Sequence, residues 1–427
     1  MFFTLRYNDI DYIRKHPTGE VQEMKKTIVL GVTGGIAAFK AAQLTSNLIK
    51  KGYDVEVIMT KNATEFIAPL TFESLTKHNV MVSTFEKVAD RSVKHVSIAK
   101  RADIFVIVPA TANVIAKIVH GLADDMLTTT FLAATCPKVI CPAMNTNMYE
   151  NPITQNNLKL CKEFGFEIID SADGYLACGD SGKGKLQDIA LIEERIEDIL
   201  HASSELKGKH VLVSAGPTQE AMDPVRFISN HSSGKMGYAI ARAAANMGAE
   251  VTLVSGPVSL STPYGVNKIS ITSANEMSQA IKEHMEEADF IIKAAAVGDY
   301  RVEHISNEKI KKQGDILELT LHKNEDILAY IGAHKKPQQV LCGFAMETEN
   351  LLENAEEKRK KKNCDMIVAN NLKTEGAGFQ GDTNVAVLLQ ENGKEELGLM
   401  SKYELGKTIL LRMLEIQENR KGTSVSC

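Results

Sequence analysis

Short unbroken apolar runs alternate with helically spaced ones along this chain, and the first such series is compact. Thr27 to Leu30 reads as a buried strand, Gly31, Gly34 and Gly35 as a tight turn, the Ala-rich stretch before Gly52 as a helix, and Asp54 to Met59 as a second strand. This is a βαβ unit whose glycine turn lets backbone N–H groups and the positive end of the helix approach a phosphate. The series returns as HVLVSAGP from His210 and, after an insertion, as SGKMGYAIARAAANMGAEVTLVSG from Ser233. Neither copy suits a dinucleotide. Gly31-Val-Thr-Gly34-Gly35 departs from GxGxxG, and the second strands run out on Thr60-Lys61-Asn62 and Ser255-Gly256, where an acid would grip a ribose. The pattern predicts two α/β domains, each with a site for a phosphorylated ligand. The competing reading is that the glycines only let helix and sheet pack closely.

Further strands follow at Asp103 to Val108, Lys138 to Cys141 and Phe166 to Ile169, with helical stretches between them, so a parallel sheet is expected. Ligands of such sheets sit beyond the carboxyl ends of the strands. The segments expected there are small and polar: Gly31 to Gly35, Thr60 to Asn62, Pro109 to Asn113 and Pro142 to Asn145. Asp188 to Leu200 is a charged amphipathic helix, and 202–208 reads as a linker. Beyond it lie strands at His210 to Ser214, Glu250 to Val254, Phe290 to Lys293, Val340 to Ala345, Asp365 to Ala369 and Val385 to Leu389, a second α/β sheet. The expected division is therefore an extension at 1–24 without periodicity, either disordered or preceding a start at Met24, then domains at 25–201 and 209–427.

A chain of 427 residues has room for two or three domains with full cores. Its net charge of -5 gives no reason to expect nucleic acid as a partner. No apolar run approaches the ~18 residues of a membrane span, and MFFTLRYNDIDYIRKHP lacks the apolar region of a signal peptide, so a cytoplasmic protein is expected. The cysteines at 136, 141, 161, 178, 342, 364 and 427 are scattered and without CxxC spacing, which argues against a disulfide framework or a zinc site. Cys178 alone stands among polar turn residues.

Four stretches of the first half carry groups able to do chemistry: His95 in KHVSIAKRAD, the loop CPAMNTNMYENP, the acidic turn Ala123-Asp124-Asp125, and LACGDSGKGKL around Cys178. A thiol in a glycine-rich polar segment suits an acid or a nucleophile, whereas a structural cysteine prefers an apolar surround. GVTGGIAAFK, the His of KHVSIAK, PATAN, PAMN and ACGDSGKG follow one another between Lys26 and Leu186. In that order they resemble the flavin-containing cysteine decarboxylases, most closely those acting on phosphopantothenoylcysteine in coenzyme A synthesis. The resemblance implies a flavodoxin-like flavoprotein domain with FMN held by Gly31, Thr33, Gly34 and Gly35, by Thr60, and by Pro109, Ala110, Thr111 and Asn113. It also implies that His95 is the base near the thiol, that Asn145 orients the departing carboxylate, and that Cys178 delivers a proton as reduced flavin returns its hydride. An unactivated cysteine carboxylate has no electron sink until the thiol-bearing carbon is oxidised, and flavin can supply that oxidation. Lys185 stands where relatives often carry Arg, which weakens a bidentate contact.

In the second half the run Lys358 to Lys362 reads, alone, as a solvated helix end. Lys358 and Lys362 are four apart, however, and share a helix face that a polyphosphate could bridge. Together with GPTQEAMDPVRFISNHSSGKMG, KAAAVGDYR, KNEDIL and GFAMET, from Lys207 to the final helix, the run resembles the phosphopantothenate-cysteine ligases, which follow the decarboxylase in the bacterial fusions. The resemblance implies CTP held by Lys293, Ala294, Ala295, Asp299, Glu325, Asp326, Ile327, Leu328, Phe344, Lys358 and Lys362, with Mg2+. Lys309 would neutralise charge as pyrophosphate leaves, while Asn230 and Arg226 would contact the acyl-cytidylate and assist the attack of cysteine. The implied partners are 4'-phosphopantothenate, cysteine and CTP, in a homo-oligomer with a trimer-based decarboxylase assembly and dimeric ligase domains. Gly298 replaces the Ala or Ser usual in relatives and is expected to loosen the loop that holds Asp299. A nicotinamide oxidoreductase would require acids where Thr60 and Ser255 stand, and a non-catalytic regulatory flavoprotein would have no need of Cys178, His95 and Asn145.

Overall fold

The computed structural model describes residues 25–85, 94–176, 179, 181–311, 317–347, 351–371, 381 and 383–424. The chain divides into two compact units between His201 and Ala202. The extension 1–24 and Cys178 lie outside the described residues.

The first unit runs β1 (Thr27–Val32), α1 (Ala38–Lys50), β2 (Asp54–Met59), α2 (Pro69–Thr76), α3 (Lys94–Arg101), β3 (Ile104–Ala110), α4 (Ala112–Val119), α5 (Met126–Ala133), β4 (Lys138–Pro142), α6 (Thr146–Glu150), α7 (Pro152–Glu163), β5 (Glu167–Ile168), β6 (Ala172–Tyr175), β7 (Ser181–Lys185) and α8 (Ile189–Leu200). Five parallel strands lie in the order β2-β1-β3-β4-β5, while β6 and β7 pair separately as an antiparallel hairpin. Both faces of the sheet are covered, as a parallel sheet requires. Ile28, Leu30 and Val106 pack with Leu44, Leu48, Ile192 and Ile196 on one face; Val29, Phe105 and Ile107 pack with Ile115, Leu127 and Phe131 on the other.

The second unit runs β8 (His210–Ala215), β9 (Gln219–Ala221), β10 (Phe227–Ser229), α9 (Lys235–Asn246), β11 (Glu250–Ser255), β12 (Val266–Ser270), α10 (Ala274–His284), β13 (Phe290–Lys293), β14 (Tyr300–Val302), β15 (Leu321–Lys323), α11 (Ile327–His334), β16 (Val340–Glu347), α12 (Leu351–Lys361), β17 (Met366–Asn371), β18 (Thr383–Gln390), β19 (Gly393–Ser401) and α13 (Lys402–Ser424). Its main sheet has the order β12-β11-β8-β13-β16-β17-β18-β19. The first six are parallel and the last two antiparallel. The parallel expectation thus holds up to β17 and gives way at β18, which runs antiparallel to β17 and reverses into β19 through the two-residue turn Glu391-Asn392. Among the described residues no helix is long and apolar enough to cross a membrane.

Residues 202–208 do not behave as a free linker. Ser203 N–H donates to Asn246 O, Leu206 N–H donates to Met247 O, and Leu206 is fully buried in the core beneath α9. Truncation to Leu206→Ala should cost about 2–5 kcal/mol and loosen the second unit. Hydrogen exchange on the full chain would detect this as faster exchange in β8 and α9, and unchanged protection would contradict the assignment.

Candidate functional sites

In the first unit, connections from β1 and β3 diverge at the carboxyl edge, and the order 2-1-3-4-5 places a ligand crevice between those two strands. Thr33, fully buried, joins them: its hydroxyl donates to Pro109 O at 2.7 Å and accepts from Thr111 N–H at 3.1 Å. Thr60 and Thr111 each cap the next helical turn, accepting from Ala63 N–H and Val114 N–H respectively. Gly34 lies against the β2 turn, where an added Cβ would stand 2.5 Å from Asn62 Cβ, whereas at Gly35 the nearest atom would be Thr111 Cγ2 at 3.8 Å. Ala37 gives α1 no side-chain cap. A buried tie across the crevice, an open glycine and an uncapped helix start fit the phosphate end of a flavin nucleotide.

The PAMN loop leaves β4 beside this crevice and ends on Asn145, which caps α6 by accepting from Asn147 N–H at 2.9 Å. The β6–β7 hairpin rests on it, with Met144 N–H donating to Gly184 O. Gly182 and Gly184 have φ of 152° and 128°, and a Cβ at either would collide with Thr146 or with the Met144 carbonyl. The segment bearing Cys178 is the one that connects β6 to β7. His95 is half-buried in the first turn of α3. The acidic turn proves structural: Asp125 caps α5 in a reciprocal box with Thr128, and Asp124 pairs with Lys117 at 2.7 Å. Burial pushes the Cys161 thiol up to about 11 and the Cys141 thiol higher still, so both are inert core groups.

In the second unit the order 3-2-1-4-5-6 of the parallel strands puts the crevice between β8 and β13, and a cleft of about 470 Å3 opens there. It gathers Asn230, the sequence from Lys293 to Asp299, the Glu325 to Leu328 turn, Phe344, Lys358 and Lys362. Lys293 Nζ donates to Ala295 O at 3.2 Å, Lys358 Nζ to Phe344 O at 2.8 Å, and Lys362 Nζ pairs with Asp326 at 2.6 Å. Burial first, and the neighbouring Lys358 charge second, push Lys293 down to about 8 against the pull of Asp326 and Asp299. Burial works against ionisation of Asp326, but Lys362 and Ala329 N–H outweigh it and hold the carboxyl below its ordinary range. Glu325 is gripped by Lys282 and Ser278. Among the described residues no three His, Cys, Asp or Glu side chains converge on a metal position.

Two expected members stand apart from the cleft lining. Arg226 binds Asp223 through Nε at 2.9 Å and Nη2 at 2.5 Å, and Nη2 also donates to Ile310 O at 2.8 Å. Asp223, held well below the usual carboxylate range by Arg226, accepts in turn from Ile310 N–H. Arg226 is thus committed to fastening the segment that carries the exposed Lys309. The loop at Gly298 is not loose: Gly298 N–H donates to Thr218 Oγ1, Asn324 Nδ2 donates to Gly298 O, and Asn324 N–H donates to Asp299 O. An alanine there would press within 3.3 Å of the buried Glu220 side chain. The cleft also takes in Ser232 to Gly237 at the start of α9, with Asn370, Asn384 and Lys402. The Ser-Ser-Gly-Lys-Met-Gly run before a helix was the signal for the first group. A polar Asn at the carboxyl end of an apolar strand was the signal for Asn370. Asn384 and Lys402 carry no local mark.

Comparison with known proteins agrees with this anatomy. Residues 17–201 match the Flavoprotein family model and residues 206–416 match the DNA/pantothenate metabolism flavoprotein C-terminal domain. The pair of domains defines a two-part flavoprotein of pantothenate metabolism. The coenzyme A biosynthesis bifunctional protein CoaBC of Bacillus subtilis (strain 168) is 45% identical over 391 residues, 90% of this chain and 96% of that one. That of Escherichia coli (strain K12) is 42% identical over 388 residues, again 90% and 96%. The chain belongs to this bifunctional coenzyme A biosynthesis family and has its decarboxylase and ligase activities. Among solved structures, a C-terminal domain of a CoaBC protein is 40% identical, covering 51% of this chain and all of its own, with a TM-score of 0.44. An FMN-dependent cysteine decarboxylase, SpaF, is 32% identical over 41% of this chain and 95% of its own, with a TM-score of 0.37.

Gly184→Ala should lower the stability of the first unit by about 1–3 kcal/mol through backbone strain alone and abolish decarboxylation while ligation continues. Thermal melting with separate assays of the two reactions would check this, and a variant with unchanged decarboxylation would refute the seating of the hairpin.

Proposed function

We propose that the second unit joins cysteine to 4'-phosphopantothenate with CTP and Mg2+, through an acyl-cytidylate, and that the first unit decarboxylates the resulting 4'-phosphopantothenoylcysteine to 4'-phosphopantetheine with FMN. The observation that carries the reading is the presence of two crevices at two topological switch points, one shaped for a phosphate, the other lined by lysines. Making an amide from a carboxylate requires its oxygen to leave, and transfer to the α-phosphate of CTP provides that leaving group. Lys293, Lys358 and Lys362 surround the cleft and would hold the triphosphate; Phe344 would wall the base; Asn230, anchored to Val297 O, would face the acyl group. Lys309 would neutralise departing pyrophosphate, and Arg226 would hold its segment through Asp223.

In the first unit, FMN when bound supplies the electron sink that cysteine decarboxylation needs. The Gly31, Thr33, Gly34 and Gly35 turn, Thr60, and Pro109 to Asn113 would hold it. His95 would take the thiol proton. Asn145, its oxygen held by Asn147 N–H, would meet the carboxylate with the NH2 end of its amide. A neutral donor there suits a carboxylate that must depart better than a cation would. Cys178 would return a proton at the close. Exposed Ile36 and Phe39 beside the glycine turn support a homo-oligomer in which a neighbour closes the site, and the protein would act in the cytoplasm.

The reading is tested by product mass after incubation with 4'-phosphopantothenate, cysteine, CTP and Mg2+, each omitted in turn. A CTP-dependent 4'-phosphopantetheine is expected, and no ligated product from folded, flavin-loaded protein would sink the ligase assignment. Cys178→Ser should stall at the undecarboxylated conjugate, whereas Lys309→Gln should lose ligation by at least about tenfold yet decarboxylate supplied conjugate; equal loss of both in either variant would refute two separate sites.

The low value at Lys293 adds a pH dependence. Above about pH 8 the free side chain is largely neutral, and a bound triphosphate would restore its charge, so binding takes up a proton and weakens as pH rises from that point. Titration calorimetry in buffers of different ionisation enthalpy should detect the uptake, and Lys358→Met, by removing a like charge, should move its onset to higher pH. An onset unmoved by Lys358→Met would exclude the repulsion as a cause.

A further inference from the structure

Asn370 is the unexplained polar group of the second cleft. It sits at the carboxyl end of β17, opposite Met346 of β16 and two residues beyond Val368, which pairs with Phe344. Its surface is only 4% exposed, it lines the cleft, and its Oδ1 is buried with no hydrogen-bond partner. Native proteins rarely leave a buried amide oxygen unmatched, because its lost hydration is not recovered. The neighbouring polar groups at this end are otherwise engaged: Asn384 Oδ1 accepts from Val385 N–H, and Lys402 Nζ donates to Gly381 O.

We infer that Asn370 Oδ1 is a specificity-determining acceptor that receives a hydrogen bond from an uncharged O–H or N–H group of the ligand. The inference rests on the ligase reading above. An amide oxygen repels phosphate and carboxylate oxygens and pairs only with a donor, so the partner cannot be the anionic part of the ligand, which Lys293, Lys358 and Lys362 attract. Two sources have suitable donors: the sugar hydroxyls or exocyclic amine of the nucleotide, and the hydroxyl or amide N–H of the pantothenate arm. A site built around such a donor rejects analogues that lack it far more strongly than an apolar pocket does.

Asn370→Leu keeps the size and removes the acceptor, while Asn370→Asp keeps an acceptor oxygen. The leucine variant should raise KM for one substrate by about tenfold or more, with a smaller rise for the aspartate variant. Wild-type and Asn370→Leu are compared with CTP, 2'-deoxy-CTP, 3'-deoxy-CTP, UTP and 4'-phosphopantothenate. A nucleotide source is identified when the wild type loses that factor on one nucleotide analogue and the leucine variant loses nothing further on it. A pantothenate source is identified when only the 4'-phosphopantothenate KM rises. If Asn370→Leu does not fold, Asn370→Ser takes its place in the same comparison. A folded variant with every KM within twofold of wild type overturns the inference. Equilibrium binding separates the two failures: wild-type protein that neither binds nor uses CTP defeats the ligase reading together with this inference, while tight CTP binding and turnover with an indifferent variant defeats the inference alone.

Discussion

A parallel sheet sends all its carboxyl ends to one edge, and where two neighbouring strands have connections that leave toward opposite faces, the chain must part. Both crevices described above are placed by that constraint. The strands that impose it are buried on both faces, with Ile28, Val29 and Leu30 of β1 and Val211, Leu212 and Val213 of β8 all fully inaccessible. In the first unit a single hydroxyl, that of Thr33, spans the parting and sets the spacing of its two lips. In the second the lips of the parting carry charge.

That charge is arranged so that it is tolerable before any ligand arrives. Of the lysines around this cleft, Lys293, Lys358 and Lys362 each have a local partner: a carbonyl for Lys293, a carbonyl for Lys358, a carboxylate for Lys362. The arrangement remains imperfect at Lys293, whose proton is held less tightly than that of a solvated lysine. An arriving polyanion finds the cations already oriented and relieves their repulsion, so part of the cost of preorganisation is recovered on binding. The outer members of the same basic helix end serve another purpose, since Arg359 and Lys360 pair with Glu356 on the solvent side.

Most of this architecture was legible in the order of residues. Continuous apolar runs marked the buried strands, and β2 and β13 begin and end where the pattern said they would. The glycine turn, the threonines at strand ends and the Lys358–Lys362 pair were visible because each breaks a local rule for a local reason. What escaped was set by tertiary packing. Leu206 is one apolar residue in a polar segment, and only the pocket under α9 explains it. Arg226 reads as a free cation until Asp223 and Ile310 are seen around it. Asp124 and Asp125 look chemical in sequence because helix capping and acid catalysis call on the same side chain. The strand expected at Val385 to Leu389 proved antiparallel to its neighbour, and β19 beyond it was not anticipated.

The hairpin on the PAMN loop carries a consequence for how tolerance to mutation is read. Gly182 and Gly184 are excluded from every other residue type twice over, once by a backbone angle and once by the atoms of Met144 and Thr146 against which they lie. A saturation library across residues 172–185 would therefore return an intolerant profile at positions with no side chain to offer a substrate. Purifying pressure of that kind is a signature of contact between two backbones, and it would single out these glycines as sharply as it singles out a nucleophile.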